Sequence, residues 1–315
     1  MSLYLSRAAC ISAALAIVGL AGGPLRAETL PVEGLYAAAD DNVAEIRAIA
    51  IDPLAGGDAD RLALAIEQAL RTASIDGQPW FGVALAGGFG DAAVPDAVLS
   101  VFANTQVGES RAEPKKIKRC AERDAAKKCI RETVDVYRCR NLTVSFDPEA
   151  RLISLAGERL YAASDEMSRT EHFCEDESEP SVDAMIDDMA GKFARKVRLD
   201  LAPEFRREGQ RVLEGRKGIA KADRNAFKNA VRLTKNDPFG ACAAFADLEA
   251  GNPRDISVLF NIGLCRESEG DLDGALAYYG RVLEIAPRQA HAEAGAARIA
   301  SRRRADDQVA RHFGT

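Results

Sequence analysis

A chain of 315 residues with 47% hydrophobic and 29% charged side chains contains enough apolar material for one large domain or two of ordinary size. This composition excludes a disordered tail and a fibrous repeat. The 42 Lys and Arg against 48 Asp and Glu give a net charge of −6, which disfavours nucleic acid as a partner held by bulk positive charge.

The first element predicted along the chain is an export signal. Arg7 precedes an apolar run at residues 10–23, and the small residue Ala27 stands before a polar stretch, which is the pattern of a secretory signal peptide. The run is shorter than the ~20 residues of a membrane span. We expect cleavage after Ala27, with Ala21 as second choice, and a soluble chain that is exported, periplasmic or secreted. The alternative is an uncleaved segment that anchors the chain.

A strand, a helix and a second strand are predicted next. Residues 46–52 and Trp80–Ala86 are apolar runs typical of buried strands, and an amphipathic helix follows the turn at Gly56–Asp58. This order predicts a crossover with parallel strands. The run Gly88-Phe-Gly90-Asp-Ala-Ala93 superficially fits a dinucleotide-binding fingerprint. Pro95 breaks the helix that should receive the phosphate, so we favour a structural turn.

The rest of this domain contains a hairpin pattern and a helix. Alternating apolar residues at 142–146, a turn at Asp147–Ala150 and a return at Leu152–Leu155 predict the hairpin. Pro180-Ser181 begins a helix whose apolar face runs to Val197.

Four of these pieces together resemble a known kind of domain. They are Ala48–Pro53, Leu62–Ala73, Trp80–Leu85 and Val182–Val197. In this order, residues 28–203 resemble the exported domains of curli-secretion and penicillin-binding-protein-activator lipoproteins. The resemblance implies one sheet-and-helix layer and, since similar exported domains form rings, it leaves homo-oligomeric self-assembly open. A lipid-attachment cysteine is missing, and the basic, cysteine-containing segment at 111–140 has no counterpart in that pattern.

Six cysteines remain after the signal segment, and an even number in an exported chain favours disulfides over metal ligation. We prefer pairing within each part of the chain: Cys120 with Cys129, Cys139 with Cys174, and Cys242 with Cys265. Four cysteines alone allow three arrangements, so the connectivity stays open. The alternative is a zinc site of Cys120, Cys129, Cys139, His172 and Cys174, which lacks a close C-x-x-C knuckle.

Candidate catalytic groups in this domain have simpler explanations. Gly108-Glu-Ser110 is one residue short of a nucleophile elbow, but a basic run follows instead of a helix. His172 and Cys174 can in principle pair as base and nucleophile, but the acidic run at 175–179 would raise the pKa of the thiol. A solvated helix face is the better interpretation of Asp183, Asp187 and Asp188.

A basic connector follows. Residues 205–235 contain ten Lys and Arg and only three acids, and we expect residues 204–221 to form a linker helix. Its candidate contacts are Arg216, Lys217, Lys221 and Arg224. An anionic surface is one hypothesis for their partner. A solvated linker that pairs with acidic residues of the same chain is the other, and both stay open.

The last part repeats with a period of 34 residues. Ala241, Phe245 and Pro253 recur as Ala275, Tyr279 and Pro287, and Leu259, Ile262, Gly263 and Gly270 complete the second unit. These residues resemble tetratricopeptide repeats (TPRs). The first unit departs from the pattern at Lys228-Asn229 and Asn236, and the second at Arg266 and Val282. The resemblance implies antiparallel helix pairs, closed by a capping helix from Gln289, that bind polypeptides, with Asn261 and Arg266 as concave-face contacts.

These expectations give an α+β chain in which a mixed α/β domain precedes a short all-α TPR-like module. Its parts are a signal peptide at 1–27, the α/β domain at 28–203, the linker helix at 204–221, the repeats with their cap at 222–305 and a tail at 306–315. The function expected is that of a non-enzymatic adaptor that binds an envelope protein or peptide, with no catalytic residue, metal or cofactor. An envelope hydrolase or transferase with its site in the α/β domain is the alternative, and self-assembly is another.

Overall fold

The computed structural model describes residues 28–54, 57–85 and 94–314. The predicted signal peptide and the glycine-rich run at 88–93 therefore lie outside the described residues. The chain divides into two compact units. The helical unit comprises the N-terminal residues up to Val32 with Glu208–Ala292, and the sheet unit comprises Glu33–Arg207 with Glu293–Thr315.

Strands and helices are both abundant, which confirms the predicted α+β class. In chain order the elements are β1 Thr29–Tyr36, β2 Ala48–Pro53, α1 Ala59–Arg71, β3 Ser74–Ile75, β4 Gln78–Pro79, β5 Gly82–Leu85, β6 Ala97–Arg123, β7 Cys129–Ser154, β8 Arg159–Ser164, β9 Met167–Cys174, α2 Val182–Leu201, β10 Glu204–Arg211, α3 Arg224–Leu233, α4 Pro238–Asp247, α5 Ile256–Ser268, α6 Leu272–Ile285 and α7 Ala290–Phe313. In the main sheet, which belongs to the sheet unit, the strand order is β5-β2-β6-β7-β8, and β9 also pairs with β7. β2 runs parallel to β5, as the strand–helix–strand order predicts.

Two helices provide the apolar cover of this sheet. α1 buries Leu62, Ile66 and Leu70, which lie four residues apart and so share one helix face. α2 buries a longer stripe, including Met185 and Phe193, and begins at Ser181, whose side chain accepts a hydrogen bond from the Ala184 N–H. Fully burying an aliphatic or aromatic side chain contributes about 1.5–3 kcal/mol, so these stripes fix both helices against the strands.

The predicted hairpin turn at Asp147–Ala150 is wrong, because β7 continues through it to Ser154. The alternation of buried residues runs unbroken from Leu142 to Leu152, so the whole segment stays on the sheet. Pro148 is tolerated inside β7 because β9 pairs only as far as Phe146 and β8 only from Glu149 onwards. Pro148, which has no N–H to donate, therefore lies at the gap between β8 and β9. The turn of the hairpin lies instead between Arg123 and Cys129.

The helical unit contains two helix hairpins, α3–α4 and α5–α6, joined by short connections that make each pair antiparallel. The side chain of Asp271 accepts a hydrogen bond from the Gly274 N–H and so caps α6 as predicted. Gly263 allows α6 to approach α5 closely, because a Cβ there would lie 2.9 Å from the Tyr279 ring.

The predicted linker helix at 204–221 is wrong. Residues 204–211 form β10, which pairs with β1, and residues 212–220 are neither helix nor strand. The β10 sequence Glu-Phe-Arg-Arg-Glu-Gly-Gln-Arg lacks apolar residues at helical spacing, whereas pairing with β1 satisfies its main chain.

The last helix also differs from expectation. α7 continues to Phe313, through the predicted tail, and its residues from Glu293 onwards group with the sheet unit rather than with the repeats. The cause lies at its C-terminal end, where the His312 ring stacks on Trp80 with ring centroids 3.8 Å apart.

Three disulfides join Cys120 to Cys129, Cys139 to Cys174 and Cys242 to Cys265, the same pairs that the sequence analysis prefers. Disulfides persist in oxidising compartments, which agrees with an exported chain. Within residues 28–54, 57–85 and 94–314, no helix combines the length and apolar character that a membrane span requires.

Candidate functional site

A segment that is neither helix nor strand lies against α5 in the helical unit. We call residues 212–220 the strap. Its Leu213 is held at both main-chain groups by one side chain: the Leu213 N–H donates to Asn261 Oδ1 at 2.8 Å, and Asn261 Nδ2 donates to the Leu213 carbonyl at 2.9 Å. Asn261 is fully buried. A side-chain amide that pairs with a peptide unit in this way holds an extended chain whatever its side chains are.

A second asparagine holds the other end of the strap by one main-chain hydrogen bond. The Ala220 N–H donates to Asn252 Oδ1 at 2.8 Å, and Asn252 Nδ2 donates to Asp223 Oδ2 at 2.7 Å and to the Leu248 carbonyl at 2.9 Å. Asn252 is 4% exposed. The strap also buries Val212 and Ile219, so side chains and main chain both fix it.

A groove of about 820 Å³ lies between the strap and the beginning of α5. It is lined on one side by Leu213, Gly215, Lys217, Gly218 and Ala220, and on the other by residues 251–257 and Gln289. Asp255 stands there as the N-cap of α5, and its carboxylate accepts hydrogen bonds of 3.0 Å from the Ser257 and Val258 N–H groups. That carboxylate is engaged, whereas Lys217 and Arg254 bring positive charge to the lining.

Two carboxylates meet at the start of the strap. A hydrogen bond with Glu214 raises the pKa of Glu28, and the same bond, together with one from Arg211, lowers the pKa of Glu214. The Arg211 guanidinium lies 3.1 Å from the Glu214 carboxylate. Glu214 therefore keeps its negative charge next to Arg211.

A second polar cluster joins the two helix hairpins. Glu249 accepts hydrogen bonds of 2.7 Å from the Tyr278 hydroxyl and 2.6 Å from Arg281. Burial by itself would raise the pKa of Glu249, but these two hydrogen bonds outweigh it and hold the pKa below its ordinary value. This cluster fixes the helices that support the strap, and Arg281 also donates to the carbonyl of Pro253 in the lining of the groove.

The structure disperses the six predicted binding residues. Asn261 holds the strap and is fully buried, so it offers nothing to an outside ligand while the strap is in place. Lys217 lines the groove, and Arg216 and Lys221 are exposed close to it in sequence. Arg224 donates to the Ile219 carbonyl at 3.2 Å. Arg266 is ten residues along α5 from its first residue, about 15 Å away, beside Glu269 and Asp271.

Asn252 and the strap itself were not predicted. Asn252 lies between Gly251 and Pro253, a context that indicates only a turn. The pairing of residues so far apart in sequence leaves no local signal. It becomes visible only when the helices are assembled.

The catalytic candidates of the sheet unit all have structural partners. Ser110 lies within β6 opposite Asn141 and not at a strand-to-helix turn. The Cys174 sulfur, 3.7 Å from His172 Nε2, is bonded to Cys139. The three carboxylates of α2 form ion pairs with side chains of the same unit: Asp183 and Asp187 with Arg61, and Asp188 with Arg169 and Lys192.

The structure also separates the ligands of the alternative zinc site. Cys139, His172 and Cys174 lie together, with ligand atoms within 4.8 Å of one another, whereas Cys120 and Cys129 form a disulfide near the turn of the β6–β7 hairpin. In the disulfide-bonded chain neither Cys139 nor Cys174 offers a thiolate to a metal.

Comparisons with known proteins give no family. No family model matches the chain, and no curated protein matches it. Among solved structures, a putative neuraminyllactose-binding hemagglutinin homolog from Helicobacter pylori matches with a TM-score of 0.26 and 12% identity, over 50% of this chain and 82% of its own. A PDZ domain protein from Parabacteroides distasonis matches with a TM-score of 0.22 and 12% identity, over 55% of this chain and 36% of its own.

Proposed function

We propose that this chain is a non-enzymatic adaptor of an exported compartment, and that its TPR-like helical unit holds an extended segment of an envelope protein or peptide. The observation that carries the proposal is the strap, in which one buried amide binds both main-chain groups of Leu213. The helical unit therefore already holds one segment of its own chain by main-chain hydrogen bonds, and Asn261 is fully used by that segment. The groove of about 820 Å³ beside the strap provides room for a second one.

The lining of the groove favours a particular kind of segment. Lys217 and Arg254 are cationic, and the nearby Asp255 carboxylate is engaged by main-chain N–H groups at the start of α5. These two cations outnumber the single carboxylate in the lining, so the expected ligand is an extended segment with an acidic side chain or a C-terminal carboxylate.

A photo-crosslinking residue placed at position 217 of the full chain tests this proposal in exporting cells. We expect a discrete covalent adduct with one envelope protein, whose crosslinked segment is acidic. The same residue at position 228, which is exposed on α3 away from the groove, is the matched control. Adducts of equal yield at both positions, or none at 217, contradict the proposal.

A synthetic peptide that copies the crosslinked segment then measures the contribution of the groove. We expect Lys217→Glu to weaken its binding about tenfold, since it replaces an attraction by a repulsion, and Lys228→Glu to leave binding unchanged. Unaltered affinity of the Lys217→Glu chain argues that the segment binds elsewhere.

The two alternative functions, an enzyme and a self-assembling component, have less support among the described residues. A hydrolase or transferase site in the sheet unit has no specific observation in its favour there, because the candidate groups are bound in strands, ion pairs and a disulfide. Self-assembly stays a prediction, which light scattering at several protein concentrations tests.

A further inference from the structure

The β6–β7 hairpin extends beyond the part of the sheet that supports it. β9 pairs with β7 only from Cys139 to Phe146, so the two strands continue alone from there to their turn. We call residues 113–138 the arm. Two-stranded ribbons are marginally stable by themselves, and here a disulfide stands at each end of the arm, Cys120–Cys129 near the turn and Cys139–Cys174 at the base. Two disulfides thus constrain an element whose residues are all exposed or half-buried.

The arm is basic although the chain as a whole is acidic. It contains nine Lys and Arg and five Asp and Glu, a net charge of +4 within a protein of net charge −6. Part of this charge is paired within the sheet unit: Lys115 with Asp176 and Glu177, Lys118 with Glu132, Arg119 with Asp135, and Arg131 with Glu122. The unpaired positive charge is concentrated elsewhere, at the turn.

Three cations surround the turn. The carboxylate of Asp124 accepts hydrogen bonds of 2.9 Å from the Ala126 and Lys128 N–H groups, so it is engaged by the main chain. Among the residues described, Arg123, Lys127 and Lys128 have no carboxylate within ion-pair distance. Lys127 adopts φ +63°, a conformation in which glycine or asparagine is the usual choice.

An exposed apolar side chain accompanies these cations. Ile130, directly after Cys129, is 59% exposed. At the base of the arm, Pro114 removes a main-chain donor from β6 and the register shifts between Ala112 and Lys115, which disfavours the addition of a strand along that edge. The side chains around the turn offer a partner both positive charge and apolar surface.

We propose that the turn of the arm docks onto the surface of an anionic phospholipid bilayer. Lysine and arginine ammonium and guanidinium groups bind headgroup phosphates, and an exposed aliphatic side chain enters the boundary between headgroups and acyl chains. A soluble polyanion would bind the cations alone, and the exposed Ile130 side chain would contribute nothing to its binding. The proposal is independent of the peptide groove in the helical unit.

Vesicle co-sedimentation of the oxidised full chain tests the proposal. We expect binding to vesicles of phosphatidylglycerol and phosphatidylcholine but not to phosphatidylcholine alone, with an affinity that falls as salt rises. Lys127→Gln/Lys128→Gln is expected to weaken binding about 30-fold, roughly fivefold for each lysine. Ile130→Ser is expected to weaken it about fivefold at every salt concentration.

The matched control is Lys228→Gln/Lys235→Gln, which removes the same charge from exposed positions of the helical unit. We expect it to bind as the unsubstituted chain does. Equal losses in both double variants, or no preference for phosphatidylglycerol, overturn the proposal. Binding to soluble polyglutamate that is lost with Lys127 and Lys128, without vesicle binding, also overturns it and identifies an acidic polypeptide as the partner.

Discussion

Asn261→Ala is the substitution that most directly tests how the strap is held. Asn261 makes two hydrogen bonds to Leu213, of 2.8 and 2.9 Å, and its side chain is fully buried. Alanine removes both bonds and leaves a main-chain donor and a main-chain acceptor without their partner. A net loss of about 1 kcal/mol for each gives about 2 kcal/mol, or about 30-fold in the equilibrium that opens the strap.

Hydrogen exchange followed by mass spectrometry measures this opening in the full chain. We expect the amides of the strap to exchange about 30-fold faster in Asn261→Ala, while α5 and α6 keep their protection. Asn261→Asp places a carboxylate oxygen against the Leu213 carbonyl at a fully buried position, so an opening at least as large as with alanine is expected at neutral pH. Asn225→Ala, which alters an exposed asparagine of α3, is the control and should leave exchange unchanged.

Two outcomes refute this reasoning. Strap exchange within twofold of the unsubstituted protein would mean that Val212 and Ile219 hold the strap without the amide. Faster exchange throughout α5 would mean that Asn261 matters as a core side chain rather than as a clamp.

Two further predictions concern buried contacts in the two units. Burial lowers the pKa of His312, which stacks on Trp80, so the folded state favours the neutral ring. The resulting stability is present above the unfolded pKa of about 6.5 and is lost as pH falls from there through the lower folded pKa. His312→Gln should remove this pH dependence from unfolding followed by the fluorescence of Trp80, the one tryptophan. Gly263→Ala places a Cβ 2.9 Å from the Tyr279 ring and should destabilise the helical unit by about 1–3 kcal/mol in urea unfolding. Gly280→Ala, which meets nothing within 4 Å, should be neutral or stabilising by about 0.5–1 kcal/mol, and equal effects of both would contradict the packing argument.

Local sequence patterns were sufficient to predict several helices and strands. Leu62, Ile66 and Leu70 share a helical face by their spacing alone, and Ser181 is a helix N-cap by residue type and position. The hairpin turn was misplaced because Asp147-Pro148 is a turn signal in an isolated chain. Its effect depends on which strand lies beside it, and β8 and β9 leave a gap at that point.

In the candidate sites too, the sequence predicted some features and the tertiary structure decided others. The resemblance to tetratricopeptide repeats implied that Asn261 contacts a polypeptide, but it could not show that Asn261 binds the strap of the same chain. The basic composition of residues 111–140 was evident, but the excess charge at the turn depends on the cross-strand register, which decides the carboxylate that each cation meets.

The sequence by itself determined the α+β class, the cysteine content, the 34-residue period and the sign of the charge in each segment. These properties follow from composition and from spacings of at most a few dozen residues. Only the tertiary structure decided that α7 joins the sheet unit, that the connector is a strand followed by a strap, and that the arm ends in unpaired cations. Each of these depends on contacts between residues distant in the chain, where free energy is gained by burial and by satisfying main-chain hydrogen bonds that no local pattern specifies.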